Sequence, residues 1–192
     1  MGLSVVQHSA ARTRVLDAAL DLFARYGVSG TSLQMIADAV GITKAAVYHQ
    51  FRTKNQIVLA VTERELTRLA PALEEAEAHG HEQQARDALL VRMIDMAVRD
   101  RRLVRTLQFD PVVVRLLTEH PPFQRFMTRL YRALLGGADE DGRIEAAMLS
   151  GAISSAVMHP LVADVDDDTL RTRLTDLSRR LLGLPRKGRR RR

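Results

Sequence analysis

The run Thr31-Ser32-Leu33-Gln34-Met35-Ile36-Ala37-Asp38-Ala39-Val40-Gly41-Ile42-Thr43-Lys44-Ala45-Ala46-Val47-Tyr48-His49-Gln50-Phe51-Arg52-Thr53-Lys54 decides the fold. Leu33, Ile36, Ala37 and Val40 recur at i, i+3, i+4 and i+7, the apolar period of a helix about two turns long. Thr31 or Ser32 supplies its N-cap, and Gly41 ends it. Ile42 leads into Thr43, a second N-cap candidate, after which Lys44 to Phe51 holds no glycine or proline and reads as another short helix. Thr53 with Gln56 three positions on is a capping-box pattern, opening a helix that carries Ile57 and Val61 towards Leu69. Two helices this short and this close in sequence must cross steeply.

Upstream, Val15, Ala19, Leu22, Phe23 and Tyr26 form one apolar stripe on a helix that starts near Ala11 and stops at Gly27. Residues 1–10 lack a helical period and read as a mobile arm. Downstream, the polar segment Glu74 to Gln84, with Gly80 inside it, reads as the end of a helix and a loop, and places the hinge between domains nearby. Amphipathic stretches follow at 85–98, 100–108, 111–118, 121–135, 141–159 and 168–182, with no strand-like alternation. Pro111 and Pro121 suit first helical positions, where the missing N–H costs nothing. The spacing predicts an all-α chain. Its parts are an arm (1–10), a three-helix N-terminal domain (11–58), a helical C-terminal domain (59–184) and a disordered basic tail (185–192).

Composition narrows the function. The absence of cysteine excludes disulfides, thiolate nucleophiles and Cys-based zinc sites. No apolar run approaches the roughly 18 residues of a membrane span, and no leader pattern stands at the N-terminus, so a cytoplasmic protein with no membrane partner is expected. The net charge of +6 is local: residues 185–192 carry six basic side chains and no acid. Residues 1–54 hold six Lys/Arg against three acids, whereas 55–184 hold seventeen against twenty. A basic N-terminal quarter on a slightly acidic body fits a phosphate-binding module joined to a regulatory one.

A helix-turn-helix places its second helix in the major groove, with that helix's first residues facing base edges and the other helix lying across the backbone. Here the leading residues are Thr43, Lys44 and Ala45. Val47 and Phe51 share a face with Ile42 and turn inward, leaving Lys44, Ala45, Tyr48 and His49 outward. These supply a cation, a methyl suited to the thymine methyl, and two donors within reach of phosphate. Lys54 stands at a helix N-terminus, where free N–H groups favour an anion. Taken singly, such residues are ordinary helix surface more often than contacts. The spacing of the whole carries the reading.

Residues 11–58 resemble the DNA-binding domain of the tetracycline-repressor (TetR) family. The matching stretches are Val15-Leu16-Asp17-Ala18-Ala19-Leu20-Asp21-Leu22-Phe23, Tyr26-Gly27, Thr31-Ser32-Leu33, Ile36-Ala37, Val40-Gly41-Ile42-Thr43-Lys44 and Val47-Tyr48-His49-Gln50-Phe51 with Lys54. They cover about a quarter of the chain. The resemblance implies an all-helical homodimer joined through its last two helices, with a ligand cavity in each C-terminal domain. It also implies phosphate contacts from Tyr48 and Lys54 and a base-facing start at Thr43 to Ala45. The position before the closing aromatic is often His in the family and is Gln50 here, with His49 one place earlier, so either reaches DNA. Thr31, Ser32 and Gln34 are candidates for backbone contacts.

In the C-terminal half, Ala147, Gly151, Ser154 and Ser155 lie on a helix of little bulk, and Leu170, Leu174, Leu177 and Leu181 form a stripe on the next. Together they suit a four-helix bundle across a twofold axis, or ordinary packing within one chain; the resemblance favours the dimer. Met93, Met96, Phe109, Phe123, Phe126, Met127, Tyr131 and Met148 offer adaptable apolar surface for an effector pocket, or plain core. His79 and His81 with Glu77 and Glu82 are weak metal candidates, because nothing orients them. No cofactor, metal or catalytic constellation is expected. The reading is a dimeric, ligand-responsive regulator binding a palindromic operator, most often a repressor in this family, released by a small apolar effector. The rival is a helical small-molecule carrier or interaction module without sequence-specific DNA binding.

Overall fold

The computed structural model describes residues 9–79, 82–136 and 140–184. Most of the expected arm, His81 and the basic tail lie outside the described residues. Eleven α-helices occur among those described, with no strand: α1 (Ala10–Gly30), α2 (Leu33–Val40), α3 (Lys44–Gln50), α4 (Lys54–Thr67), α5 (Ala70–Ala78), α6 (Gln83–Arg99), α7 (Arg101–Phe109), α8 (Pro111–Thr118), α9 (Pro121–Leu135), α10 (Glu140–Met158) and α11 (Asp167–Leu181). A 3₁₀ turn, Pro160–Val162, joins the last two. The chain divides into two units, Met1–Arg68 with Arg102–Arg125, and Leu69–Arg101 with Phe126–Arg192.

In the first unit, α1 packs on α2, α4 and α8, and α2 packs on α3. Val15, Leu16, Ala19, Leu20 and Phe23 of α1 are buried, as are Ile36, Ala37, Val47, Phe51, Ile57, Val58 and Val61. Each large side chain among them contributes about 1.5–3 kcal/mol by leaving water. α1 starts at Ala10, one residue before the start expected near Ala11, because Ser9 Oγ accepts the Arg12 N–H at 3.3 Å. Its end also differs from expectation. Gly27 leaves the helix (φ 72°, ψ 165°), yet the chain makes another helical turn to Gly30.

In the second unit α6 is the hub, packed against α5, α10 and α11. Arg179 of α11 grips Asp87 of α6 with two bonds, at 2.5 and 2.8 Å. Arg171 reaches Asp95 at 2.9 Å. Arg129 holds Glu77 with two bonds, which lowers the Glu77 carboxyl below its usual value. The polar stretch read as a loop is mostly the helix α5. Its alanines and glutamates favour the helix, Pro71 occupies its first turn, and Leu73 and Ala76 are buried.

Candidate DNA-binding interface

Local capping builds the interface. Ser32 Oγ accepts from Met35 N–H at 3.1 Å and starts α2; Thr43 Oγ1 accepts from Ala46 N–H at 3.1 Å and starts α3. Between them Gly41 takes the left-handed conformation (φ 74°, ψ 37°), and its neighbour Ile42 donates to the Ala37 carbonyl at 3.0 Å. That bond pattern closes α2 and requires a positive φ, which is why glycine stands there. Thr53 Oγ1 then accepts from Gln56 N–H, while the Gln56 side chain accepts from the Arg52 N–H. The box is therefore closed one residue earlier than in its usual form.

α3 emerges two-faced. Val47 and Phe51 are buried, and Ile42 is half-buried. Thr43, Lys44, Ala45, Tyr48 and His49 are exposed on one short helix, as are Ser32 and Gln34 at the start of α2. The Gln34 amide donates to Asp38 at 2.7 Å. Gln50 is half-buried and its Oε1 is shielded from solvent without a hydrogen-bond partner, so it differs from its exposed neighbour His49.

Two expected contacts have other engagements. Thr31 is buried, at 2 % exposure, and its hydroxyl donates to the Gly27 carbonyl at 2.8 Å. The Lys54 ammonium donates to the carbonyls of Val28 at 2.7 Å and Ser29 at 3.3 Å. An ammonium has three donors, so one remains for another acceptor. Three cations escaped the sequence reading. Arg12 stacks over the Phe51 ring at 4.2 Å, Arg14 donates to the Val40 carbonyl at 2.7 Å, and the exposed Arg52 lies 5.7 Å from the Tyr48 ring centroid. Arg52 had a signal in sequence, a basic residue beside the capping box; Arg12 and Arg14 had none.

The C-terminal candidates separate by burial. Ala147, Gly151, Ser155, Leu177 and Leu181 are exposed, whereas Ser154, Leu170 and Leu174 are buried within the protomer. The buried side of α11 runs through Leu174, Thr175, Ser178 and Arg179, which leaves Leu177 and Leu181 outside it. Of the pocket candidates, Phe126 is buried, and Met93, Met96, Phe123, Met127 and Tyr131 are half-buried. Phe109 and Met148 are instead 52 % and 59 % exposed. Met148 shares the outward side of α10 with Ile144, Ala147 and Gly151. Burial raises the Tyr131 pKa against a hydrogen bond with Ser150. No cluster of metal-binding side chains and no membrane-spanning helix occurs among the described residues.

A two-turn helix, a left-handed glycine turn and a capped helix with its polar side outward define a helix-turn-helix DNA-binding regulator. Residues 15–61 match the family model described as bacterial regulatory proteins, tetR family. Over those residues the chain is similar to the DNA-binding domain of the TetR family. It is 27% identical over 170 residues to the HTH-type transcriptional repressor Rv1474c of Mycobacterium tuberculosis, covering 85% of this chain and 76% of that one. It is 44% identical over 52 residues to the HTH-type transcriptional regulator AcrR of Shigella flexneri, covering 27% of this chain and only 24% of AcrR. The fold matches a tetR-family regulatory protein from Rhodococcus RHA1 with a TM-score of 0.67 at 17% identity, over 93% of this chain and all of the other.

Proposed function

We propose that the protein is a cytoplasmic repressor that binds a near-palindromic operator as a homodimer and leaves it when a small apolar effector occupies its C-terminal helices. The observation that carries this is α3: Lys44, Ala45, Tyr48 and His49 are exposed while Val47 and Phe51 anchor the helix from behind. Thr43 to Ala45 face base edges, and Tyr48 holds phosphate. His49, rather than the half-buried Gln50, reaches DNA. Ser32 and Gln34 lie nearest the backbone, and Lys54 has a single N–H left for it. Residues 11–58 form the reading domain and 59–184 the regulatory domain, with 185–192 adding sequence-independent phosphate affinity.

The homodimer reading rests on the outward apolar row Ile144, Ala147, Met148 and Gly151 of α10 together with Leu177 and Leu181 of α11. The effector reading rests on Met93, Met96, Phe126, Met127 and Tyr131, adaptable apolar side chains of the second unit. A twofold dimer presents its two α3 helices to half-sites about 34–36 Å apart or a multiple of that. Selection of bound duplexes from random DNA at about 150 mM salt, where unspecific attraction is weakened, tests the reading. Recovery of a palindrome supports it. Recovery of random sequence, with binding that vanishes as salt rises, leaves the carrier or interaction module as the better account.

A further inference from the structure

We infer that Asp110 couples the position of α8 to the helix-turn-helix and so sets the affinity for the operator, an inference that rests on the DNA-reading role proposed above. The carboxylate divides its two oxygens between two elements. Oδ1 accepts from the N–H groups of Val112 at 2.9 Å and Val113 at 3.2 Å, which is the N-cap of α8. Oδ2 accepts from the Val28 N–H at 2.7 Å, across 82 residues of chain.

The far end of that bond is the junction from which the helix-turn-helix hangs. The Gly27 carbonyl accepts from Thr31, two residues ahead of α2, and the Val28 carbonyl accepts from Lys54, the first residue of α4. The two residues Gly27 and Val28 are therefore bonded to side chains at the starts of α2, α4 and α8 together. Their approach to Asp110 is close: a Cβ on Gly27 would stand 3.2 Å from Oδ2. Val28 is itself buried, so it has no water to replace a lost bond.

α8 is held at this end and has space beside it. A groove of about 460 Å³ is lined by Pro111, Val112, Arg115, Leu116 and Glu119 of the α8 region and by Asn55 of α4. The chain passes into Arg102–Arg125 from the second unit and returns to that unit at Phe126, so both ends of this segment are tied to regulatory residues. A shift of α8 that keeps its cap draws on Val28, and a shift that releases Val28 frees the junction behind α2 and α4. Either one alters how α3 is presented.

Asp110→Asn separates the two bonds. The amide oxygen still caps α8, as asparagine does well, while its NH₂ meets the Val28 N–H donor against donor. The full-length variant is measured against the operator recovered by selection, well below its melting temperature. Expected are an unchanged helical spectrum, operator affinity about tenfold weaker, within the usual span of inter-site coupling, and an unchanged salt slope, because no phosphate contact is lost. The Val28 amide exchanges faster. Glu119→Gln, at the other end of α8, leaves affinity as it was. A folded Asp110→Asn protein whose affinity stays within about twofold overturns the coupling, and so does one that melts earlier yet binds as before, since Asp110 is then only a stabiliser. A parent protein that selects no operator overturns the DNA-reading role and this inference with it.

Discussion

Of the basic side chains in the reading domain, Arg12, Arg14 and Lys54 point their charge at a ring or at carbonyls of the same chain. Arg25, Lys44 and Arg52 are exposed. The reading domain's own share of the electrostatic attraction to DNA therefore leans on few cations, and individual substitutions are separable. Lys44→Ala is expected to weaken binding and to lower the slope of log K against log salt by about one per protomer. Tyr48→Ala, which removes a neutral donor, is expected to weaken binding across all sequences at an unchanged slope. Tyr48 is 48 % exposed, so its loss moves folding stability by no more than about 0.5 kcal/mol. Titration of both variants at three salt concentrations checks this, and an unchanged slope for Lys44→Ala excludes it from the phosphate contacts.

At the scale of elements, the sequence was most readable where structure is local. Ser32, Thr43 and Thr53 cap the helices they precede, because a side chain and an N–H three residues on need nothing else to meet. The bounds of α8 and α9 fall where Pro111 and Pro121 put them. What escaped depends on residues distant in sequence. Thr31 and Ser32 are equivalent caps on paper, and only the fold buries the first. Lys54 reads as a free cation until the end of α1 is laid beside it. The leucines of α11 look like one stripe, and the pairing of Arg179 with Asp87 turns the helix so that two of them face away. Gly27 reads as a helix stop, whereas it is a corner that only glycine turns (φ 72°, ψ 165°). Gly27→Ala is expected to cost about 1–3 kcal/mol in urea unfolding, from backbone strain sharpened by the Asp110 oxygen. A loss below about 0.5 kcal/mol means the corner relaxes at little cost.

For the whole molecule, the dimer proposed through the outward row on α10 and α11 is testable apart from folding. Leu177 is 56 % exposed in the protomer, so Leu177→Glu leaves the protomer's own packing intact. Placed in a dimer interface, the carboxylate loses its hydration with no partner. Sedimentation is expected to show the variant dissociating at a concentration at least about tenfold higher than the parent, and the variant is expected to lose operator affinity along with its partner. A variant that sediments as the parent does moves the interface elsewhere. The bond from Asp110 to Val28 has one more effect, on the order of events during synthesis. The N–H at position 28 emerges 82 residues before the carboxylate that receives it. At about 5–20 residues per second, the ribosome leaves that corner of the reading domain unfinished for roughly 4–16 seconds. The nascent helix-turn-helix therefore reaches its final shape only after α8 has begun, and a transcript cut short before that codon yields a protein whose DNA-reading end is present but incompletely held.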